Sequence, residues 1–99
     1  MTRIHLVPRV FKDLDRIVAH LERHEVEHAQ ARADEIVGAF DVLGGNPLIG
    51  RPAGEDVREL IIGHGSHGYV ALYRYLPWVD TVLILAVRAQ RESGYARPE

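Results

Sequence analysis

Residues 69–87 read YVALYRYLPWVDTVLILAV, and this stretch decides the fold. Two apolar segments, Tyr69–Leu76 and residues 81–87, flank a short connection that begins with Pro77 and Trp78. A connection this short joins neighbouring strands only as an antiparallel hairpin. Residues 82–85 are apolar without interruption, which is typical of a strand buried on both faces. We therefore predict a hairpin whose second strand is central in its sheet.

The N-terminal half of the chain predicts an α-helical hairpin. A first helix begins near Pro8, and its apolar positions follow a helical period: Val10, Phe11, Leu14, Ile17, Val18 and Leu21. A second helix is predicted over residues 27–43, with alanines on its apolar stripe that allow close approach to the first. Residues 44–47, GGNP, end that helix.

Further strands complete the pattern. Residues 3–7 alternate apolar and polar side chains and predict a short strand. Residues 48–56 contain Gly50, Pro52 and Gly54 and predict a loop, and Val57–Ile62 predicts a strand joined to the next by residues 63–68. The order predicts one α+β domain over residues 1–99: an N-terminal strand, a helical hairpin, then a three-stranded antiparallel meander, with the helices on one face of the sheet.

The composition is that of a soluble globular protein, with 46% hydrophobic and 26% charged residues among 99. The chain has no cysteine, which excludes disulfide and thiolate chemistry and fits a cytoplasmic location. No apolar run is long enough for a signal peptide or a membrane span, so we predict no membrane association.

Charge is distributed unevenly along the chain. Residues 1–56 carry seven basic and ten acidic side chains, whereas residues 57–97 carry five arginines and three acids. The acidic first half argues against tight general nucleic-acid binding, and a small positive patch in the second half remains open. Eleven of the twelve basic residues are arginines, which suit fixed bidentate contacts better than lysines do.

An ordered set of local motifs resembles the RelE/ParE superfamily of bacterial toxins. The motifs are FKDLDRI at residues 11–17, NPLIGRP at 46–52, VREL at 57–60, GYVALYRY at 68–75 and VLILAVRAQRE at 82–92. The resemblance implies the fold predicted above and a toxin of a type II toxin-antitoxin system, of the kind also described as plasmid stabilisation proteins. It implies as partner a cognate antitoxin, ParD-like or similar, whose C-terminal segment wraps the toxin.

The resemblance leaves two activities open. RelE-like members are ribosome-dependent endoribonucleases that cut mRNA, and ParE-like members poison DNA gyrase. RelE-like sites carry lysines and arginines on the sheet, but here Val70 stands where those toxins have an arginine, and Ala89 where many have a histidine. We therefore favour the ParE-like branch, a gyrase inhibitor rather than an enzyme, with no cofactor and no metal. The alternatives are a metal-independent ribonuclease acting at the ribosome and an inactive member that binds only its antitoxin.

The candidate site residues for target binding are the arginines of the second half: Arg58, Arg74, Arg88 and Arg91. The same four residues together with Tyr95 are the candidates for a ribonuclease site, where His64 and His67 are the local candidates for a general base. Strand register decides whether the arginines converge, and the sequence does not fix the register. Each arginine can instead pair with an acid such as Glu59 or Asp80.

Apolar residues near the edges of the helical stripes are the candidates for antitoxin contacts, together with the tryptophan of the strand connection: Val10, Val18, Leu21, Val37 and Trp78. An amphipathic helix or an added strand from the partner can bury such residues. The acidic first half suits a partner tail in which basic residues alternate with apolar anchors.

Three other patterns have plainer interpretations. HEVEH at residues 24–28 matches a zinc-protease motif but falls at the predicted helix turn, so we interpret it as a polar helix end. GHGSHG at residues 63–68 matches a dinucleotide fingerprint but precedes a strand, so we interpret it as a hairpin turn. Tyr69, Tyr73 and Tyr75 share one strand face, which favours aromatic packing over base stacking.

Overall fold

The computed structural model describes residues 1–24, 27–63, 68–92 and 94–95. These residues form a short N-terminal strand, a helical region and four further strands, which confirms the predicted α+β class. The elements are β1 (Arg3–Leu6), α1 (Pro8–Arg23), α2 (Ala29–Ala39), α3 (Val42–Gly45), β2 (Arg51–Gly54), β3 (Val57–Ile62), β4 (Tyr69–Leu76) and β5 (Thr81–Ala89). No helix within these described ranges is long and apolar enough to cross a membrane.

The strands form one sheet in the order β1-β5-β4-β3-β2. Strands β2 to β5 are an antiparallel meander, and β1 pairs in parallel with β5. The prediction that β5 is internal is confirmed, because it lies between β1 and β4. Its burial on both faces is only partial, since Leu83 and Leu85 are half-buried while Val82 and Ile84 are fully buried.

Two local predictions were wrong. Part of the expected loop at residues 48–56 is the strand β2, where Arg51 pairs with Glu59 of β3. Pro52 and Gly54 are tolerated there because β2 is an edge strand. The second helix ends at Ala39 and α3 follows as a separate short helix. Between them the backbone N–H groups of Phe40 and Asp41 bond three residues back, to Val37 and Gly38, which tightens the last turn.

The helices cover one face of the sheet. From α1 and α2 the buried side chains are Val10, Leu14, Ile17, Ala33 and Ile36, and the facing sheet residues are Ala71, Tyr73, Val82, Ile84 and Val87. The spacing of the α1 residues at i, i+4 and i+7 is the reason that one stripe of that helix is buried. Burial of these apolar surfaces supplies the main stabilisation of the domain.

Two polar contacts fix the ends of this packed layer. The side chain of Asp13 is 4% exposed, and its Oδ2 accepts a hydrogen bond from the backbone N–H of Val87 at 2.9 Å. Strand β1 stops at Leu6, opposite Ile84, so helix α1 supplies the partner that β1 no longer offers. At the other side of the sheet, the backbone N–H of Gly50 donates to the hydroxyl of buried Tyr73 at 2.8 Å.

Candidate target surface and partner groove

The face of the sheet opposite the helices, here called the open face, carries side chains that strand pairing places together. Side chains directly opposite each other in paired strands share a face. This rule assigns the following residues to the open face: Arg51, Glu59, Ile61, Val70, Leu72, Arg74, Leu83 and Arg88. Ile61 is 42% exposed and Leu72 and Leu83 are half-buried, so an accessible apolar band lies between arginines.

Four residues of this surface make a polar cluster, here called the Tyr95 cluster: Arg51, Glu59, Arg88 and Tyr95. The Tyr95 hydroxyl donates to Oε2 of Glu59 at 2.6 Å. The guanidinium of Arg51 donates to Oε1 of Glu59 from Nε at 3.1 Å and from Nη2 at 3.0 Å. The guanidinium carbon of Arg88 lies 5.2 Å from the centroid of the Tyr95 ring, within the range of a cation–π contact.

The surroundings of this cluster set the protonation of its members. Burial and the hydrogen bond and charge of Glu59 raise the pKa of Tyr95 well above its ordinary value. Partial burial acts to raise the pKa of Glu59, but hydrogen bonds from Tyr95 and Arg51 and the charges of Arg51 and Arg88 outweigh it, so the pKa is lowered. At neutral pH the cluster therefore offers a protonated hydroxyl, two guanidinium groups and an ionised carboxylate.

Arg88 also shapes the chain that follows β5. Its Nη1 donates to the carbonyl oxygens of Ala89, Gln90 and Glu92 at 3.2, 3.3 and 3.0 Å. Its Nε is buried and has no acceptor within the described part of the chain. Arg88 thus holds the turn that follows β5 against the sheet.

The four predicted arginines do not converge. Arg58 pairs with Tyr73 and lies on the helix-covered side, where its Nη1 donates to the carbonyl oxygens of Leu48 at 3.1 Å and Gly50 at 2.8 Å. Arg74 is exposed on the open face, four residues along β4 from Val70, the pairing partner of Arg88. This spacing corresponds to about 13 Å along the strand.

The remaining site predictions separate further. Arg91 lies beyond the end of β5, and among the predicted site residues in the described ranges only Arg88 and Tyr95 are brought together. His64 and His67, the candidate bases, lie outside the described residues. Sequence reasoning named Glu59 merely as an ion-pair partner, and the pairing observed is with Arg51. Glu59 lies opposite Arg51 only because β2 pairs with β3, and β2 was not predicted. No signal in the sequence therefore placed Glu59 in a site.

The three alternative patterns are accounted for by their surroundings. Tyr73 is fully buried and Tyr69 is 9% exposed, as aromatic packing requires and base stacking does not allow. His24 follows α1 and His28 precedes α2 with φ of 60°, so these two histidines do not share a helix. The described residues hold no group of three or more potential metal ligands. Gly68 leads into strand β4 rather than into a helix.

The outer side of the helical hairpin carries a shallow groove of about 230 Å³, here called the hairpin groove. It is lined by apolar and acidic side chains of α1 and α2, among them Phe11, Val18, Val37, Asp15 and Asp34. Phe11 is 56% exposed and Val37 is 39% exposed. The groove therefore combines accessible apolar positions with negative charge.

The predicted antitoxin contacts are divided between several places. Val18 and Val37 line the hairpin groove, and Trp78 is 77% exposed in the turn before β5. The expectation that Val10 lies on an uncovered rim was wrong, because it is completely buried against the sheet. Leu21 is half-buried at the far end of α1. Phe11, its neighbour in sequence, was assigned from its spacing to the buried stripe of α1. It is exposed instead, because Val10 faces the sheet and Phe11 does not.

A helical hairpin on one face of an antiparallel meander, with a parallel N-terminal strand at the edge, is the fold of the RelE/ParE toxins. The chromosomal ParDE system from P. aeruginosa matches with a TM-score of 0.73 and 24% identity, over 90% of this chain and 96% of that one. The intact E. coli RelBE toxin-antitoxin complex matches with a TM-score of 0.65 and 13% identity. The match covers 93% of this chain and 100% of the chain compared.

Sequence comparison identifies the family. The family model of the ParE toxin of the type II toxin-antitoxin system parDE matches residues 4–94. The chain is also 32% identical over 92 residues to toxin RelE3 of Caulobacter vibrioides, which covers 93% of this chain and 98% of that protein. The chain belongs to the ParE toxin family and is thus a type II toxin of the RelE/ParE superfamily.

Proposed function

We propose that this toxin inhibits growth by binding DNA gyrase, without cleaving RNA itself, and that a cognate antitoxin neutralises it. The position of the arginines carries the proposal. Metal-free RNA cleavage needs cations around the reacting phosphate and an accessible base. Arg58 is instead bound to backbone carbonyls on the helix-covered side, and the pKa of Glu59 is lowered, which makes it a weak proton acceptor at neutral pH. The half-exposed apolar band between Arg74 and Arg88 suits a protein partner better.

The hairpin groove supports the antitoxin part of the proposal. Both solved structures compared above are of toxin-antitoxin systems. Exposed Phe11 and Val37 are apolar anchors for an amphipathic helix, and Asp15 and Asp34 favour basic side chains at its edges. Trp78, exposed in the turn before β5, offers a further anchor.

Expression of the chain without its antitoxin in a bacterium tests the target. We expect filamentation and induction of the DNA damage response while translation continues, and inhibition of purified gyrase by the purified chain. Arg74→Ala and Arg88→Ala should weaken both effects, whereas Lys12→Ala, on an exposed part of α1, should not. Rapid cleavage of translated mRNA without DNA damage would overturn the proposal. Antitoxin binding without any growth effect would indicate an inactive member.

A ribosome-dependent ribonuclease is the second candidate, and the Tyr95 cluster is the observation that favours it. Two arginines, a carboxylate and a tyrosine lie within contact distance on the open face, and the buried Nε of Arg88 has no acceptor within the described ranges. The curated relative from Caulobacter vibrioides carries the name RelE3. Under this alternative, Glu59→Gln and Tyr95→Phe should each abolish mRNA cleavage in a translating extract.

The antitoxin interface is tested by charge insertion in the hairpin groove. Phe11→Asp and Val37→Asp should each weaken binding of the neighbouring gene's product by at least about tenfold, because each places an uncompensated charge against an apolar anchor. Val42→Asp is the matched control, since Val42 is 44% exposed but lies outside the groove. Equal affinities for all three variants would place the interface elsewhere.

A further inference from the structure

A larger groove lies where the end of α1 and the start of α2 meet the start of β4 and the end of β5. It has a volume of about 770 Å³ between the described residues and is here called the basic groove. Ile17, Leu21, Tyr69 and Ala89 form its apolar part. Ile17 and Tyr69 belong to the buried core, and Leu21 and Ala89 pack against it, so this floor is fixed by the fold.

The rim of the basic groove is positively charged. Its charged side chains are the four arginines Arg16, Arg23, Arg32 and Arg91 and the single carboxylate of Glu92. Arg16 is already paired with Glu92 at 2.7 Å. Arg23, Arg32 and Arg91 are exposed and form no ion pair with another residue of the described ranges. Three positive charges that no acid of the described ranges pairs thus face one groove, in a chain whose net charge is −2.

Local helix electrostatics explain only part of this arrangement. Arg23 lies in the last turn of α1, where a cation is favourable next to the helix C-terminus. Arg32 lies near the start of α2, where a cation is unfavourable and no acidic residue of the first turn compensates it. Arg91 follows a strand and serves no helix end. Helix electrostatics therefore do not account for the positions of Arg32 and Arg91.

We propose that the basic groove binds an acidic amphipathic peptide segment of a partner protein. Its carboxylates would pair with Arg23, Arg32 and Arg91, and its apolar side chains would cover Leu21 and Ala89. An apolar floor inside a cationic rim complements such a segment on both counts. The exposed rings of His20 and His24 also line the groove. A nucleic-acid strand is therefore the competing occupant, but it would leave the apolar side chains of Leu21 and Ala89 uncovered. The proposal is independent of the toxin's target.

Fluorescence anisotropy with the purified full chain tests the groove. The probe is a short fluorescein-labelled peptide of alternating Glu and Leu, and a second probe replaces Leu by Ser. The double variant Arg23→Glu with Arg91→Glu should bind the Glu-Leu peptide at least about tenfold more weakly than the unmodified chain. Arg3→Glu with Lys12→Glu changes the net charge equally and lies outside the groove, so it should retain affinity. Circular dichroism confirms that both variants are folded.

Each outcome decides the proposal. Binding of the Glu-Leu peptide that is lost in the groove variant, kept in the control and weaker for the Glu-Ser peptide supports it. No binding, or equal weakening by both charge reversals, overturns it. Competition by polyphosphate or a single-stranded RNA oligonucleotide as effective as that by unlabelled peptide also overturns it, in favour of a phosphate site.

Discussion

Two tyrosines, one on each face of the sheet, illustrate how differently the two faces are built. Tyr73 is fully buried on the helix-covered face, and its hydroxyl accepts a hydrogen bond from the backbone N–H of Gly50. Tyr95 lies half-buried on the open face, and its hydroxyl donates to the carboxylate of Glu59. The helix-covered face depends on close steric fit, whereas the open face depends on polar contacts that can be exchanged for those of a partner. Substitutions should therefore cost stability on the first face and activity on the second.

The largest loss of stability is expected at Gly50. A Cβ at this position would lie 2.6 Å from the Tyr73 ring and 2.7 Å from the backbone oxygen of Glu59, and a backbone atom in a paired strand cannot move aside easily. We expect Gly50→Ala to lower the free energy of unfolding by about 3 kcal/mol, measured by urea denaturation. Gly38→Ala is the control, because a Cβ there meets nothing within 4 Å, and it should stabilise α2 by up to about 1 kcal/mol. Equal effects would show that the fit around Tyr73 is loose.

The next largest loss is expected at Asp13. Asp13→Ala leaves the buried backbone N–H of Val87 without its acceptor, at an expected cost of about 2 kcal/mol in the free energy of unfolding. Asp15→Ala is the matched control, since Asp15 is exposed on the same helix and gains the same helix propensity. A difference of less than about 0.5 kcal/mol between the two variants would mean that Val87 finds another partner.

A smaller loss is expected on the open face. Tyr95→Phe removes the hydroxyl that donates to Glu59, and we expect a cost of about 1 kcal/mol in the free energy of unfolding. Tyr75→Phe removes a surface hydrogen bond to Asp80 and should cost less. Toxicity sharpens the comparison, because Tyr95→Phe should alter it and Tyr75→Phe should not. If Tyr75→Phe proves the more destabilising, the C-terminal segment contributes little to the fold.

Most of the fold was predictable because it depends on local signals. Apolar segments joined by short connections predicted the strands β3, β4 and β5. The helical spacing of apolar residues such as Leu14 and Ile17 predicted α1. The strand β2 was missed because Gly50, Pro52 and Gly54 are turn residues by composition, and they become a strand only through pairing with β3. Tertiary pairing of this kind overrides local preference.

The site was less predictable, since it depends on register. The pairing of Arg58 with Tyr73 decides that Arg58 lies on the helix-covered face and not on the open face with Arg88. A shift of the register by one residue would reverse this. The chain after β5 posed a second problem. Tyr95 reaches Glu59 across 36 positions of sequence through the turn that Arg88 organises, and no periodic pattern encodes such a contact.

The smallest expected effect is the pH dependence that Glu59 contributes. Its pKa is lower in the folded chain than the value of about 4.3 for an unperturbed glutamate. A carboxylate with a lowered folded-state pKa stabilises the fold above its unfolded pKa, and that contribution is lost as the pH falls through the folded pKa. Glu59→Gln should therefore be less stable than the unmodified chain by a few tenths of a kcal/mol at neutral pH, and this gap should close in urea titrations below about pH 4. Arg51→Gln removes a hydrogen bond and a charge that lower this pKa, so in that background the gap should already be smaller at neutral pH. A gap that widens on acidification would show that Glu59 is held in its protonated form, and the open face would then present a neutral acid rather than an ion pair.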